Sequence, residues 1–482
     1  MLDTLFSYEN PYRHTKIIFT IGPSTESDEM LEKMIEGGVN ICRINMAHAS
    51  HDWTRDTMNR IRMISQKIGR EIAIMMDIKG PEIRTCALDE PIQLKKGMRV
   101  DLSTEENCPY QDEDGLLAIG VNYTSLIEDL KKGNQVHVDN GLLKFEVIGK
   151  TDKRIQCEVL IGGELTSRRH INLPGVKVKL PAITKKDRTD VEVGTELKVD
   201  QFALSFVREA TDVKILREHM NKVGSKARII AKIEDQSAIS NLEEIIEASD
   251  GIMIARGDLG IECPYEELPI IQRSTIKKCL EMGKRVIVAT HMLESMIKHP
   301  VPTRAEITDV SNAVFEQADC IMLSGETTIG KYPLECVQVF ERIALRIEKS
   351  GAANYAEGRR LTGPKTMLLR TAKILAEEMG DTQIVVFTKT GRFGEIMASL
   401  RCKVPIYTFT DRIEILRYLV TLWGIEPFLM DFCEEDRGKT ITNAFAILKK
   451  KGWVEKGQPL VMITDIRAED RLVDTLQIRY ID

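Results

Sequence analysis

Eight short runs rich in β-branched residues, most of them separated by stretches of helical period, constrain this chain more than any other feature. They lie at 15–21, 39–44, 71–77, 202–207, 227–233, 251–255, 284–290 and 320–324. Strands alternating with helices predict βαβ units and a parallel sheet. Helical stretches at 28–36, 235–248 and 303–315 supply crossovers, and the last opens on Thr303 with Glu306 three residues on, the spacing of a capping box. Eight such units predict an α/β fold in which the strands close into a (β/α)8 barrel, the TIM barrel, and not an open sheet.

The alternation breaks between the third and fourth runs. From about 85 to 180 the chain turns strand-rich, with turn signals at Lys96-Gly97, Asp139-Asn140-Gly141 and Ile161-Gly162-Gly163. The expected organisation is a barrel built from 1–84 and 182–349, with 85–181 inserted as a small β-barrel lid over the mouth where the βα loops emerge. A polar stretch at 350–365 then leads to a C-terminal α/β domain of regulatory type, 350–482, with strands expected at 383–388, 405–410, 427–430 and 459–464 in a doubly wound sheet.

Composition narrows the function. Charged residues make up 29% and hydrophobic ones 43%, a globular balance, and the net charge of −6 gives no basic footprint for nucleic acid. An acidic substrate must therefore be held by a local cluster of cations or by a metal ion. The ten cysteines are scattered without a C-x-x-C pair, which suits reduced thiols and not a zinc ribbon. The first sixteen residues contain no apolar signal core, and no apolar run approaches the roughly 18 residues of a membrane span. A cytoplasmic protein without membrane contact is expected.

Barrel enzymes place their chemistry at the C-terminal strand ends, and six ends here are polar. The second closes on Arg43-Ile44-Asn45, the third on Asp77-Ile78-Lys79-Gly80 with Glu82 and Arg84 beyond, and the fifth on Lys232-Ile233-Glu234. The sixth runs into Arg256-Gly257-Asp258, the seventh ends at Thr290, and the eighth leads into Ser324-Gly325-Glu326. Glu234 and Asp258, from neighbouring strands, suit one Mg²⁺, which takes one or two carboxylates and completes its shell with substrate oxygens. Lys232 lies two residues before Glu234, on the same side of an extended segment, where an ammonium clamps a transferring phosphoryl group. Taken alone, Lys232–Glu234 also reads as a strand-end salt bridge, and Gly257-Asp258-Leu259-Gly260 as a plain turn. Arg43 and Arg84 offer forked donors to phosphate oxygens. Asn45 and Asp77 offer oxygens to a second cation. The sequence has no G-x-x-x-x-G-K-[ST] loop, no kinase H-R-D or D-F-G set and no G-x-G-x-x-G.

Three stretches carry a resemblance. MLESMIKHPVPTRAEITDVSNAVFEQADCIMLSGET, starting at Met292, closely resembles the long signature of pyruvate kinases. DIKGPEIRT at 77–85, and AKIE and SDGIMIARGDLGIE between 230 and 262, are similar to that family too. The resemblance extends from 15 to about 350 and is weaker and more architectural beyond. It implies a barrel with an inserted lid and a C-terminal α/β domain, acting on phosphoenolpyruvate and ADP to give pyruvate and ATP in the last step of glycolysis. It also implies Mg²⁺ (or Mn²⁺), K⁺ and a homotetramer.

Carried onto this chain, the resemblance gives Lys232 the phosphoryl group in flight and Arg43 the transferring phosphate. Glu234 and Asp258 hold Mg²⁺, while Gly257 and Asp258 backbone with the Thr290 hydroxyl hold the carboxylate. A water network near Thr290 and Ser324 protonates the enolate, and His48 and Arg84 lie on the nucleotide side. The K⁺ ligands are Asn45, Asp77 and the Ile78 carbonyl, with Ala47 where the family has a Ser. Glu82 is the acidic residue that accompanies K⁺ dependence. Weaker K⁺ activation is therefore expected, with a water replacing the lost hydroxyl. Two further departures are His291, usually Gln, and Asn140, commonly a lid-hinge Asp.

Thr388-Lys389-Thr390-Gly391-Arg392 follows a strand, precedes a helical run from Glu395 and resembles the family's effector phosphate loop. The Gly/Trp-rich loop that completes a fructose 1,6-bisphosphate site is replaced by DIRAEDR at 465–471, so a monophosphate effector, or none, is expected. Two other readings account for less. A Mg²⁺-dependent phosphoenolpyruvate/pyruvate lyase leaves the insert and Lys232 unexplained, and an inactive regulatory paralogue draws only on Ala47 and His291.

Overall fold

The computed structural model describes residues 12–105, 110–111, 116–359, 361–433, 435–468 and 471–482. Eight parallel strands close into a barrel: Lys16–Thr20, Ile41–Asn45, Ala73–Ile78, Gln201–Leu204, Arg228–Ile233, Gly251–Ala255, Arg285–Ala289 and Cys320–Leu323. Successive side chains enter two different buried layers. Ile18, Ile41, Met75, Ile230, Met253 and Met322 fill the interior, while Ile17, Phe19, Cys42, Ile74, Ile229 and Ile252 pack outward on the helices. Burial on both faces explains why these strands read as continuous apolar runs. Helix starts are marked by side-chain caps. Ser27 and Ser50 accept backbone N–H bonds, and Thr184 with Asp187 and Thr303 with Glu306 form complete capping boxes.

Two expected elements differ. The fourth strand stops at Leu204, because Phe206 adopts φ 55° and its N–H turns to Glu234 Oε2 at 2.6 Å. The segment 235–248 is two helices, Gln236–Ser240 and Leu242–Ala248, divided at Asn241, whose side-chain amide donates to the Arg208 carbonyl at 2.9 Å.

The described part of the insert is a seven-stranded mixed sheet with a separate two-stranded sheet, Gly163–Leu165 on Ile92–Leu94. The segment 83–86 bridges the two sides of the seven-stranded sheet, in keeping with a small barrel: Arg84 pairs with His170 and Thr85 with Val121, while the Ile171 N–H donates to the Ile83 carbonyl and the Cys86 N–H to the Gly120 carbonyl, both at 2.8 Å. The turn at 139–141 joins Gln135–Val138 to Leu143–Lys150, with Asp139, Asn140 and Gly141 at φ 53°, 56° and 80°. Those three residue types tolerate the left-handed region. The insert rests on the helix Arg256–Glu262 at the barrel mouth: Asn172 Nδ2 donates to Glu262 Oε1 at 2.8 Å, and His137 Nδ1 meets the Ile261 carbonyl at 3.1 Å.

The C-terminal domain holds five strands and not four, in the spatial order Ile425–Leu429, Ile406–Thr410, Gln383–Phe387, Pro459–Ala468, Arg471–Tyr480. The first four are parallel, and the fifth returns antiparallel from its neighbour. Arg471, Asp474, Thr475, Gln477 and Arg479 interrupt its apolar residues and conceal it in the sequence. The parallel core is doubly wound, with its order reversing between Gln383–Phe387 and Pro459–Ala468. The nine described cysteines are free, and Cys108 lies outside the described residues. No described helix is long and apolar enough to cross a membrane.

Candidate active site

Three of the six strand ends that the sequence marks as polar, the second, third and fifth, meet in one connected chain of charge. Arg43 places Nε and Nη2 each 2.7 Å from Asp77 Oδ2, and its Nη1 donates to Thr20 Oγ1 at 3.1 Å, at the end of the first strand. Lys232 Nζ then lies between two carboxylates, 3.3 Å from Asp77 Oδ1 and 2.9 Å from Glu234 Oε1. Ser205 completes the junction, accepting from Lys232 Nζ at 2.8 Å and donating to the Ile78 carbonyl at 2.9 Å.

Asp77, Lys232 and Glu234 are only 2%, 9% and 2% exposed, so their charges act in a low-dielectric setting. Burial disfavours the Lys232 ammonium, but Asp77 and Glu234 overcome it and hold its pKa above the ordinary lysine value. Burial also opposes the Asp77 carboxylate, yet Lys232 and Arg43 keep its pKa below the usual range. Glu234 differs. Burial, reinforced by Asp258, outweighs Lys232 and pushes its carboxyl up to about 7.

Asp258 lies in the first turn of Arg256–Glu262, which starts directly after the sixth strand. A carboxylate raised by burial and by a like charge marks a place where a cation relieves the repulsion. No group of three or more His, Cys, Asp or Glu side chains among the described residues is placed to hold a metal ion by itself. Two carboxylates beside a space for substrate suit Mg²⁺, which completes its shell with substrate oxygens and water. The proposed K⁺ donors are adjacent as well: Asn45 is the register partner of Asp77, and Ile78 follows it. Asn45 Oδ1 accepts the Ala47 N–H at 3.1 Å, and Ala47 adds no side-chain oxygen.

Next to Asp258, Gly257 N–H donates to Thr290 Oγ1 at 2.7 Å, so the two expected carboxylate donors are in contact with each other. Thr290 and His291 both take left-handed backbone, at φ 68° and 54°. Ser324 follows the eighth strand with its Oγ buried and without a hydrogen-bond partner. Its N–H is held by Glu326 Oε2 at 2.7 Å, while Glu326 Oε1 accepts the Leu293 N–H at 3.0 Å, tying the seventh and eighth strand loops together. Burial raises the Glu326 pKa.

Other expected residues stand apart from this cluster. His48 is exposed on the loop after the second strand. Arg84 leads into the insert, with Nε 2.7 Å from Glu82 Oε2 and Nη1 donating to the Arg168 carbonyl at 2.8 Å. Glu82 also meets Lys79 at 3.0 Å, and the two cations overcome burial to lower its pKa. Thr388, Lys389, Thr390 and Arg392 line a cavity of about 850 Å³ in the C-terminal domain. Gly391 there has φ 80°, donates its N–H to Thr388 Oγ1 at 3.0 Å, and starts the helix Arg392–Ser399, three residues earlier than expected. The stretch at 465–471 falls partly outside the described residues.

Ser205, the Phe206 N–H and Thr20 are the additions that the sequence conceals. Extending the fourth strand through Val207 absorbs Ser205 and Phe206 into an apolar run. The first strand, similarly, has only Thr20 to show.

Comparison with known proteins agrees with this geometry. Residues 12–337 match the model of the pyruvate kinase barrel domain, and 367–479 that of the pyruvate kinase alpha/beta domain. The chain is 41% identical over 456 residues to plastidial pyruvate kinase 2 of Arabidopsis thaliana, covering 94% of this chain and 78% of the relative. It is 40% identical over 421 residues to the pyruvate kinase of Geobacillus stearothermophilus, covering 86% and 71%. A solved pyruvate kinase structure from Cryptosporidium parvum superposes with a TM-score of 0.92 at 32% identity over 98% of both chains.

Proposed function

This chain belongs to the pyruvate kinase family, and from that premise we propose how its residues move a phosphoryl group from phosphoenolpyruvate to ADP. The protein is an enzyme, a phosphotransferase of glycolysis, and its family depends on Mg²⁺ and K⁺. Transfer breaks the ester P–O bond of phosphoenolpyruvate, forms one to the terminal phosphate oxygen of ADP and leaves an enolate. Charge is spread over the equatorial phosphoryl oxygens in the transition state, and catalysis is largely positioning and electrostatics. Lys232 and Arg43 are the cations at that place. Their carboxylate partners keep Lys232 protonated and fix both side chains, so little reorganisation accompanies the reaction.

Glu234 and Asp258 would hold Mg²⁺ or Mn²⁺, which when bound would supply Lewis-acid stabilisation of the charge that develops on the phosphoryl group. Asn45, Asp77 and the Ile78 carbonyl would hold K⁺, one ligand short at Ala47. Gly257, the Asp258 backbone and Thr290 grip the substrate carboxylate. Thr290 and Ser324 then order the water that protonates the enolate at carbon, a role supported by the unpartnered Ser324 Oγ. His48 and Arg84 take the nucleotide phosphates, for which Arg84 must exchange its Glu82 partner.

Thr388–Arg392 would cradle one effector phosphate. The loop lies where the strand order of the C-terminal sheet reverses, the usual ligand position in such sheets. Domain limits at 84/85, 181/182 and 349/350, a homotetramer and a cytoplasmic location belong to the same proposal; the free cysteines support a reducing compartment.

The observation that carries the proposal is the buried Arg43–Asp77–Lys232–Glu234 chain beside Asp258. Its test is pyruvate formation from phosphoenolpyruvate and ADP with Mg²⁺, with and without K⁺, for the wild type and Lys232→Met. A loss of at least about a hundredfold in the variant is expected. Pyruvate released without ADP would favour a lyase, and no turnover with Mg²⁺ still bound would mean an inactive paralogue.

A further inference from the structure

Arg256 opens the helix that carries Gly257 and Asp258, and it is 8% exposed. All three guanidinium nitrogens are engaged. Nη2 donates to the Thr290 carbonyl at 2.8 Å and touches Met292 Sδ at 3.0 Å, while Nε donates to the Ala289 carbonyl at 3.3 Å. Nη1 meets Asp309 Oδ1 at 2.6 Å and Gln272 Oε1 at 3.3 Å. The side chain thus grips the carbonyls on both sides of Thr290, from the turn that already receives the Thr290 hydroxyl through Gly257 N–H.

Thr290 needs such a grip. It is β-branched and held at φ 68°, with His291 at 54° beside it. Left-handed backbone at a β-branched residue is unfavourable and persists only where the surroundings over-determine it. The backbone of this turn is clasped by a planar fork, and the fork is anchored from behind by Asp309 on the helix Arg304–Phe315. A lysine offers a point charge without the fork, so it can keep Asp309 but not both carbonyls.

We propose that Arg256, anchored by Asp309, is a positioning residue for the substrate carboxylate, setting the spacing of the Thr290 hydroxyl and the Gly257 N–H. Its hydrogen bonds and ion pair go to Ala289, Thr290, Met292, Gln272 and Asp309, and to none of the residues proposed for the phosphoryl group or the nucleotide, so its effect is confined to one substrate. The inference rests on the assignment of Gly257 and Thr290 to that carboxylate.

The test is steady-state kinetics on the full-length enzyme with Mg²⁺, varying phosphoenolpyruvate and ADP separately, for Arg256→Lys, Asp309→Asn and Thr290→Ala, with thermal melting followed alongside. Loss of about one charge-assisted hydrogen bond from the clasp should raise the KM for phosphoenolpyruvate about tenfold in Arg256→Lys. Asp309→Asn should raise it in the same direction by about threefold, with the KM for ADP within about twofold of wild type in both. Should Arg256→Lys fail to fold, Asp309→Asn decides alone.

If Thr290→Ala raises that KM while both clasp variants leave it unchanged, the positioning role is wrong and the carboxylate assignment stands. If Thr290→Ala is silent, the inference falls whatever the clasp variants do, and the carboxylate assignment falls with it. An equal rise in both KM values, tracking a lowered melting temperature, would show Arg256 to be merely structural.

Discussion

Arg401 and Asp319 join the C-terminal domain to the barrel at the ends of the strands opposite the active site, and this pair allows a demanding test of how the domains are held. Arg401 Nη2 lies 2.6 Å from Asp319 Oδ2, with side chains 4% and 1% exposed. Asp319 Oδ2 also accepts the Val286 N–H at 2.9 Å, and Arg401 Nη1 donates to the Ala398 carbonyl at 2.8 Å. Replacing Arg401 by Met leaves a buried carboxylate with one backbone donor. Removing one partner of a buried pair costs about 3–5 kcal/mol, far more than the near-neutral cost of replacing both with apolar groups. Arg401→Met and Asp319→Leu should each cost about that much. The double variant should cost less than either single change, and so far less than their sum, because each single change strands the other charge. Trp423 reports the event well: it is 4% exposed, and its ring centroid lies 5.1 Å from the Arg401 guanidinium carbon. Urea unfolding followed by tryptophan fluorescence, on each single and double variant, gives the cycle. Single costs under about 1 kcal/mol, or strictly additive ones, would refute the reasoning, since either would mean that the pair is solvated and not sealed in the interface.

Other consequences can be checked separately. Gly194→Ala should destabilise the barrel by up to about 2 kcal/mol, because a Cβ there falls 2.7 Å from the buried Phe202 ring, and overpacking of about 1–3 kcal/mol is offset by a helix gain of only about 1; a raised denaturation midpoint would contradict this. Burial, with Asp235 and Asp258 adding to it, lifts the Glu262 carboxyl to about 7, so the stability it contributes is full below its unfolded value near 4.5 and is lost as pH rises through 7. Metal-free Glu262→Gln should therefore gain on wild type by up to about 3 kcal/mol between pH 5 and pH 8, and parallel stability curves for the two proteins would count against it. Ala47→Ser should strengthen K⁺ activation, read as the K⁺ concentration for half-maximal rate; an unchanged value would remove residue 47 from that site. Removing divalent ions with a chelator should abolish phosphoenolpyruvate binding measured by equilibrium dialysis, whereas undiminished binding would mean that Lys232 and Arg43 suffice.

The barrel was open to reading because each strand is buried on both faces, which writes it as an unbroken apolar run ending in a polar residue. Lys232, Glu234 and Asp77 could be found for the same reason: a charge at the end of such a run has no place in a core. Ser205 and Phe206 escaped because an apolar residue with positive φ ends the strand without changing its composition. The last strand, Arg471–Tyr480, escaped for a different reason. Its partner is adjacent in sequence, it lies at the sheet edge, and polar residues break up its apolar ones. The clasp of Arg256 on Thr290 depends on φ angles that no residue type announces, and only the three-dimensional arrangement reveals it.

The charge balance of the site explains why its parts must be arranged this way. Two cations, Arg43 and Lys232, stand among three carboxylates, Asp77, Glu234 and Asp258, and both cations are already paired. A substrate bearing a phosphate and a carboxylate cannot be attracted by a cluster whose side chains sum to a negative charge. Glu82 likewise occupies Lys79 and Arg84 at the edge of the insert. The positive charge needed for binding must therefore arrive with the reactants, and Glu234, with its carboxyl raised by burial and by Asp258, is the group that gains most from its arrival. Pairing Lys232 with two carboxylates then has a purpose beyond neutralisation. It keeps the ammonium charged and immobile in a buried place while the carboxylates remain available to a cation, so one arrangement of five side chains is stable in the empty enzyme and competent in the loaded one.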